Sequence, residues 1–244
     1  ADGIATVAFD VPGRSMNTLT SAVIAEIPAL VEKIKTDDAI KGVVLTSGKT
    51  TGFCAGADLG DMASGMLAGG GDLQKAFDTG WALNGAFRAL ETSGKPVAAA
   101  INGLALGGGL EFTLACHYRV VENDPKIQLG LPEIKVGLFP GGGGTQRLTR
   151  LIGVQTALMQ MAEGKSWRPN DAKGAGIVHE VVEKGQSVEA AKAWIRNGGK
   201  AVQPWDDKSF KLPGGGPYHP AGIQNFMVGN AMLRKQSYGN YPAV

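Results

Sequence analysis

Two glutamates are the residues in this sequence best placed to do chemistry. Glu111 ends the run Gly-Gly-Gly-Leu-Glu at 107–111, at the start of a predicted helix, and Glu133 follows Leu131-Pro132 ahead of a glycine run at 141–144. Carboxyl groups exchange protons, and backbone N–H groups at a glycine-rich helix start favour a developing negative charge. Together they predict acid/base chemistry, such as the addition or removal of water beside the carbonyl of an acyl group.

The glycine-rich segments also allow structural interpretations. Residues 102–111 follow a predicted buried strand and would suit a tight strand-to-helix crossing, in which the helix dipole favours Glu111. Residues 52–58 form a second loop, which is either an ordinary turn or the source of another N–H group for the same anion. Asp58 is most simply a helix cap. From residue types and spacing alone, both interpretations stay open.

The four consecutive glycines at 141–144 favour a function, because such a run costs conformational entropy that a plain loop would not need. We interpret Arg147 and Arg150, on the helix that follows, as solvated charges. The histidines lack the spacing of metal ligands, so structural or surface roles and no metal site are predicted. They are His117, His179 and His219.

The composition narrows the classes of function. The 244 residues suit one large α/β domain or a domain with an appendage. There are 37 glycines where average usage gives about 17, and they are clustered rather than periodic. A net charge of +2 without a dense Lys/Arg stripe argues against nucleic acid as a partner. The close approach of backbone to a small ligand is the better expectation.

Targeting signals and cofactor motifs are missing from the sequence. Cys54 and Cys116 are isolated thiols, for which a reducing cytoplasm fits best. There is no signal peptide and no apolar run of about 18 residues, so neither export nor a membrane span is predicted. The absence of G-x-G-x-x-G, a P-loop and G-x-S-x-G argues against a dinucleotide site, a nucleotide phosphate site and a serine nucleophile.

Short strands alternate with helices, which predicts an α/β domain with much parallel pairing. Residues 61–72 suggest a mobile surface segment, and Pro28 is expected to kink its helix or mark a later start. The predicted strands are 3–9, 42–47, 96–101, 117–122, 127–129 and 177–182. The predicted helices are 21–35, 73–92, a helix after 107–109 to about 116, 142–151, 154–162, 170–175, 187–197 and 221–236. Core contacts expected in the second helix are Phe77, Trp81, Phe87 and Leu90.

Three segments, taken together, resemble the enoyl-CoA hydratase/isomerase (crotonase) superfamily. They are residues 53–59, 100–111 and 131–148, in the family's order, and the resemblance covers about residues 1–195. It implies a spiral of ββα turns with a C-terminal helical extension. It also implies a coenzyme A thioester as the substrate.

The resemblance assigns roles to individual residues. The N–H groups of Ala57 and Gly108 would form an oxyanion hole for the thioester oxygen, and Gly141 would lie beside the reacting water. A loop would run along the adenine and pantetheine of coenzyme A. Its residues are Cys54, Ala55, Gly56 and Asp58.

Two glutamates imply syn hydration of trans-2-enoyl-CoA to 3-hydroxyacyl-CoA in fatty-acid β-oxidation. Glu111 would act as base toward the water, and Glu133 would protonate the α-carbon. No cofactor is expected, since coenzyme A is part of the substrate. One alternative is a Δ3–Δ2 enoyl-CoA isomerase, a class that usually keeps only the later glutamate. Another is an acyl-CoA-binding domain without turnover.

The C-terminal residues 203–241 resemble the connector in multifunctional fatty-oxidation proteins, where a hydratase domain precedes a 3-hydroxyacyl-CoA dehydrogenase domain. We therefore expect a hydratase domain at 1–197, and a linker and helix at 198–244 that lead to a dehydrogenase domain absent from this chain. The sequence begins inside a strand without methionine, which suggests a fragment. A homo-oligomer and a thiolase partner are both compatible with this resemblance.

Overall fold

The computed structural model describes residues 2–68, 70 and 72–239. Within them, five parallel strands form the main sheet in the order β1-β2-β3-β5-β8, and a smaller sheet has the order β4-β6-β7. The strands are β1 Ile4–Phe9, β2 Gly42–Ser47, β3 Val97–Ile101, β4 Ala105–Leu106, β5 Tyr118–Glu122, β6 Leu129–Gly130, β7 Ser166–Trp167 and β8 Glu180–Val182. The helices are α1 Ser21–Thr36, α2 Leu59–Ala68, α3 Leu73–Glu91, α4 Gly108–Leu114, α5 Gly144–Ile152, α6 Val154–Glu163, α7 Pro169–Gly174, α8 Ser187–Arg196 and α9 Pro220–Ser237. The predicted α/β class with parallel pairing is confirmed.

The centre of the main sheet is covered on both faces. Every residue of β2 and β3 is buried, as expected for parallel strands between two layers. On one face, Val44 and Ala98 pack with Ile195 of α8. On the other, neighbouring strand residues join the main core with α1, α3 and α4. The loops that follow β2 and β3 therefore begin from strands that are packed on both faces.

Helix α1 follows the predicted pattern. It begins at Ser21, where the Thr20 side chain accepts a hydrogen bond from the Val23 N–H, so Pro28 does not mark a later start. The predicted apolar face is oriented toward the core. Its fully buried members are Ile27, Val31 and Ile34.

Two sequence predictions about local structure are wrong, and a third is confirmed in part. The segment predicted at 61–72 to be a mobile surface region is mostly helix α2, with residues 62–65 exposed, so its surface position is confirmed and its mobility stays a prediction; residues 69 and 71 lie outside the described residues. The short strand predicted at 127–129 is instead β6, at Leu129–Gly130. In α3, Phe87 and Leu90 are buried as predicted, but Phe77 and Trp81 are 61% and 64% exposed and stack on each other.

The C-terminal segment lies against the α/β domain. Gln203 is fully buried, and its side-chain amide donates to the carbonyls of Leu114 and Cys116, at 3.2 Å each. Helix α9 lies beside α6, and residues of both line a cavity of about 190 Å³. In the part of the chain that the structure describes, no helix has the length and apolar character needed to cross a membrane. The domain boundary at residue 197 stays a prediction.

Two exposed glycines near the end of α7 make a matched test of backbone strain. A methyl group on Gly174 or on Gly176 would meet no described atom within 4 Å, but Gly176 has φ +80° and Gly174 lies in the helix. We expect Gly174→Ala to raise the free energy of unfolding by about 0.4–1 kcal/mol, because alanine restricts the unfolded chain. Gly176→Ala should lower it by about 1–2 kcal/mol. Urea denaturation of both variants checks this, and equal effects would contradict it.

Candidate functional site

The start of α4 is built around Gly107, which precedes the helix with φ +54°. Few residues other than glycine adopt this conformation. A methyl group on Gly107 would also lie 3.1 Å from Oε1 of Glu133 and 3.7 Å from Cα of Gly56. Glycine is therefore required both by the backbone and by the close approach of two neighbouring segments.

Helix α4 is completely buried, and its C-terminal carbonyls have partners. Arg119, 1% exposed, donates from Nη1 to Cys116 O at 2.6 Å and from Nε to Ile177 O at 2.7 Å. Burial lowers the pKa of Arg119 to about 10. Because Gln203 also donates to the carbonyls of Leu114 and Cys116, the C-terminal end of the helix is fixed in the core.

Two backbone N–H groups, those of Ala57 and Gly108, lie close together at this helix start. Ala57 pairs with Leu19 through the carbonyl of Gly56 and the N–H of Asp58, so its own N–H points to the other side. A methyl group on Gly108 would lie 3.6 Å from the Ala57 nitrogen. Neither the Ala57 nor the Gly108 N–H donates a backbone hydrogen bond within the described residues. Such a pair suits an oxyanion.

The Glu111 carboxyl group is buried, at 2% exposure, but it is not isolated. The Gly144 N–H donates to Oε1 at 2.7 Å. Burial raises the pKa of Glu111, while hydrogen bonds from Gly144 and Gly142 and the charge of Arg147 lower it. These partners stabilise the carboxylate form but offset only part of the effect of burial, so the pKa of Glu111 stays above its ordinary value.

Glu133 begins a short 3-10 turn, Glu133–Val136, and has a different environment. Its Oε2 is buried without a hydrogen-bond partner among the described residues. Burial, and then the charge of Glu111, raise the pKa of Glu133 to about 7. Near neutral pH this carboxyl group can hold or release a proton, as a general acid or base must.

The two glutamates converge on the same stretch of backbone. Oε1 of Glu133 lies beside Gly107, and Oε2 of Glu111 lies 3.8 Å from where a methyl on Gly108 would be. The Ala57 N–H lies beside the same glycine. The arrangement can bind a carbonyl oxygen and exchange protons on both sides of it.

The other predicted site residues are distributed around this centre. Cys54 is fully buried, whereas Ala55 is exposed on the same loop. Asp58 accepts a hydrogen bond from the Asp61 N–H, so its interpretation as a helix cap is confirmed. Gly141 is exposed and its carbonyl accepts a hydrogen bond from Asn84.

It is the next glycines, Gly142 and Gly144, that contact Glu111, because a methyl on either would lie within 3 Å of its carboxyl oxygens. The roles of the predicted loop residues and of Gly141 stay predictions. Burial raises the thiol pKa of Cys54 to about 11 and that of Cys116 to about 12.

The interpretation of Arg147 as a solvated charge is wrong. Arg147 is 7% exposed, and its Nε and Nη2 donate to the two carboxylate oxygens of Glu91, at 2.8 and 3.0 Å. Nη1 donates to the carbonyl of Gly142 at 2.9 Å. Arg150 is partly exposed and donates to Gln146 on its own helix. Only a tertiary partner distinguishes these two arginines.

Sequence reasoning also missed Asn17. This fully buried side chain donates from Nδ2 to Phe9 O, Ser47 Oγ and Phe53 O, at 2.6, 3.0 and 3.2 Å, and its Oδ1 accepts from the Val11 N–H at 2.9 Å. It ties the ends of β1 and β2 to the loop that carries Ala57. No local pattern marks it, because these partners are far apart along the chain.

The histidines have structural roles, as predicted. His117 Nδ1 accepts from the Val97 N–H, and His179 Nδ1 accepts from the Arg119 N–H. His219 caps the start of α9. Among the described residues, no group of three or more His, Cys, Asp or Glu side chains is arranged to hold a metal ion.

The raised pKa of Glu133 predicts a pH-dependent stability. The folded state binds this proton more tightly than the unfolded chain, in which the pKa is near 4.5. The stabilisation is therefore complete below about pH 4.5 and is lost as the pH rises through about 7. Relative to Glu133→Gln, the wild type should lose stability over this window. Urea denaturation across the window tests this, and parallel pH profiles would contradict it.

A family comparison agrees with this geometry. The model of the enoyl-CoA hydratase/isomerase family matches residues 1–203, so the chain belongs to that family. The fold is that of its members. The chain aligns over 97% of its length with a crystal structure of an enoyl-CoA hydratase from Geobacillus kaustophilus, covering 85% of that chain with 27% identity and a TM-score of 0.75. A Bacillus anthracis enoyl-CoA hydratase gives 96% and 85% coverage, 29% identity and a TM-score of 0.70.

Curated relatives carry a more particular name. The chain is 46% identical over 203 residues to the fatty acid oxidation complex subunit alpha of Shewanella frigidimarina, covering 83% of this chain and 28% of that protein. It is 42% identical over 248 residues to the subunit of the same name from Shewanella halifaxensis, covering 99% of this chain and 33% of that protein. The chain thus spans about a third of the length of these relatives.

Proposed function

We propose that this chain hydrates trans-2-enoyl-CoA to 3-hydroxyacyl-CoA in fatty-acid β-oxidation. The observation that carries the proposal is the convergence of Glu111 and Glu133, both with raised pKa values, on the backbone at Gly107 and Gly108. Membership of the enoyl-CoA hydratase/isomerase family and the name shared by the curated relatives support it.

In the proposed mechanism, the N–H groups of Ala57 and Gly108 bind the thioester oxygen. As charge develops on that oxygen, each donor contributes about 2.7–4 kcal/mol. Glu111, held as a carboxylate by the Gly144 N–H, takes a proton from the attacking water. Glu133, with a pKa of about 7, delivers a proton to the α-carbon. Because both glutamates would lie on one face of the substrate, the hydroxyl group and the proton add to that same face, and return of the proton from Glu111 to Glu133 restores the starting protonation states.

Coenzyme A enters as part of the substrate, and we propose no separate cofactor for hydration. The loop Cys54–Asp58 would follow its adenine and pantetheine, with the exposed Ala55 facing the ligand and the buried Cys54 anchoring the loop. Gly141 would lie near the reacting water. These assignments rest on the resemblance of the segments and on the loop's position beside Gly107 and Gly108.

The names of the relatives suggest a setting for this activity. We propose that residues 1–197 are a hydratase domain and that 198–244 lead toward a 3-hydroxyacyl-CoA dehydrogenase domain. A thiolase partner or a homo-oligomer, in the cytoplasm, would complete that arrangement. The share of about a third of each relative's length supports this organisation.

Loss of the enoyl-thioester absorbance of crotonyl-CoA on addition of the protein tests the function directly. Appearance of 3-hydroxybutyryl-CoA should match the absorbance lost. Binding of crotonyl-CoA without any loss of absorbance would refute hydration and favour an acyl-CoA-binding domain.

We propose Δ3–Δ2 isomerisation as a second activity, because this reaction needs only one proton-transferring group, and Glu133 can supply it. A carboxyl group with a pKa of about 7 can remove a proton from the α-carbon and return it to the γ-carbon without an activated water. A 3-enoyl-CoA substrate should then be converted to the conjugated 2-enoyl thioester, with a gain of absorbance. Absence of that conversion would leave hydration as the sole activity.

A further inference from the structure

We propose that Arg147 is a positioning residue for Glu111, which it holds through the carbonyl of Gly142, and that Glu91 fixes Arg147 for this task. The inference rests on the proposed function, because it concerns the carboxylate that would act on the water. Arg147 itself contacts neither that water nor the acyl group in the mechanism above.

The first step is the contact between the glycine turn and the carboxylate. Gly144 donates its N–H to Oε1 of Glu111 at 2.7 Å. A methyl group on Gly142 would lie 2.6 Å from Oε2 of the same carboxylate. The backbone of residues 142–144 therefore surrounds both oxygens, and a shift of this turn would rotate or displace the carboxylate.

The second step is what holds the turn. Arg147 Nη1 donates to Gly142 O at 2.9 Å. A methyl group on Gly143 would collide with Nη1, so the guanidinium lies directly against the turn. From the outer side, Asn84 Nδ2 donates to Gly141 O at 2.6 Å. Because glycines have little conformational preference of their own, these two side chains define the shape of the run.

The third step is the fixed position of the guanidinium. Its Nε and Nη2 donate to both oxygens of Glu91, which is 2% exposed. Glu91 also pairs with Arg88 at 3.1 Å, and Arg88 makes a two-point contact with Asp206 in the C-terminal segment. A planar guanidinium can bind both oxygens of a carboxylate and still donate to a carbonyl in a fixed geometry, whereas a lysine ammonium is a single point of contact at the end of a flexible chain.

The positive charge of Arg147 also favours the carboxylate form of Glu111. Among the described residues, Arg147 from α5 and Glu133 from the 3-10 turn interact electrostatically with Glu111, and Glu91 from α3 binds Arg147. Arg147 is the cation that lowers the pKa of Glu111 against the effect of burial. Its removal should move the acidic limb of the activity profile to higher pH, because Glu111 would stay protonated over a wider range.

The test compares Arg147→Lys, a double variant with Glu91→Met and Arg147→Met, and the control Arg150→Lys. Replacing a buried ion pair by apolar residues is often neutral or stabilising, so the double variant separates positioning from folding. For crotonyl-CoA hydration, we expect kcat to fall about tenfold to a hundredfold in both Arg147 variants. KM should change by less than about threefold. Arg150→Lys should match the wild type.

Wild-type kcat in a folded double variant would overturn the proposal, since the pair would then serve stability alone. A separate readout does not depend on turnover. In protein labelled with ¹³C at the glutamate carboxyl carbons, the Glu111 signal, assigned from Glu111→Gln, should titrate at higher pH in the double variant. An inactive wild type would refute the proposed function, whereas an unchanged titration would refute the positioning role.

Discussion

Glu111→Gln is expected to slow hydration of crotonyl-CoA by about 10²–10⁴-fold, the usual contribution of one general acid or base. Glutamine keeps the size of the side chain and accepts the Gly144 N–H bond, but it cannot take a proton from water. Double-bond migration in a 3-enoyl-CoA should keep most of its rate, because that reaction needs Glu133 alone. The measurement is the absorbance of the conjugated enoyl thioester, which falls during hydration of crotonyl-CoA and rises during isomerisation of a 3-enoyl-CoA.

Glu133→Gln is the matched comparison. This variant should lose both reactions, because the proton at the α-carbon is delivered or removed by Glu133 in each. In the wild type, the rate of hydration should also fall as the pH rises through about 7, because Glu133 loses the proton that it donates to the α-carbon. Full hydration by either variant would eliminate the two-glutamate mechanism.

Gly109→Ala is expected to remove most activity although it changes no reactive group. A methyl group on Gly109 would collide with the Cys54 carbonyl and lie 2.8 Å from Cys54 Cβ. Since the clash is with backbone, α4 and the loop that carries Ala57 must separate. Displacing one oxyanion donor costs about 10²–10³-fold in kcat. Overpacking should lower the free energy of unfolding by about 1–3 kcal/mol.

Helix α7 supplies the control for this prediction. Gly174→Ala adds the same methyl group to a helical glycine with open space around it, so it should leave activity unchanged. Hydration rates and urea denaturation of both variants give the comparison. A folded Gly109→Ala protein with wild-type kcat would show that the two N–H groups need not lie close together.

The elements that make the site were predictable where the signal is local. Glycine runs at 107–109 and 141–144 predict helix starts, and the structure has α4 and α5 beginning at Gly108 and Gly144. Buried strands were predictable because β3 is a continuous apolar run and β2 contains one at residues 43–45. Local sequence thus predicted both backbone segments that contact Glu111 and Glu133.

The environment of each charge was not predictable from periodicity. Arg147 and Arg150 lie three residues apart on one helix. Arg147 is buried because it pairs with Glu91 of α3, a partner that is distant in sequence. Phe77 and Trp81 continue the apolar pattern of α3, yet the helix extends beyond the core at that end. Both errors have one physical cause, which is that burial depends on neighbours distant in sequence.

The two buried cysteines make it possible to measure local opening of the structure around α4. Cys54 belongs to the loop beside α4, and Cys116 follows that helix, and both thiols are buried with pKa values of about 11 and 12. A thiol in this state is inert, because the thiolate is the reactive form. A labelling reagent can therefore modify these two positions only when the surrounding elements open. The alkylation rate of each sulfur would report how often its end of α4 comes apart in the native protein.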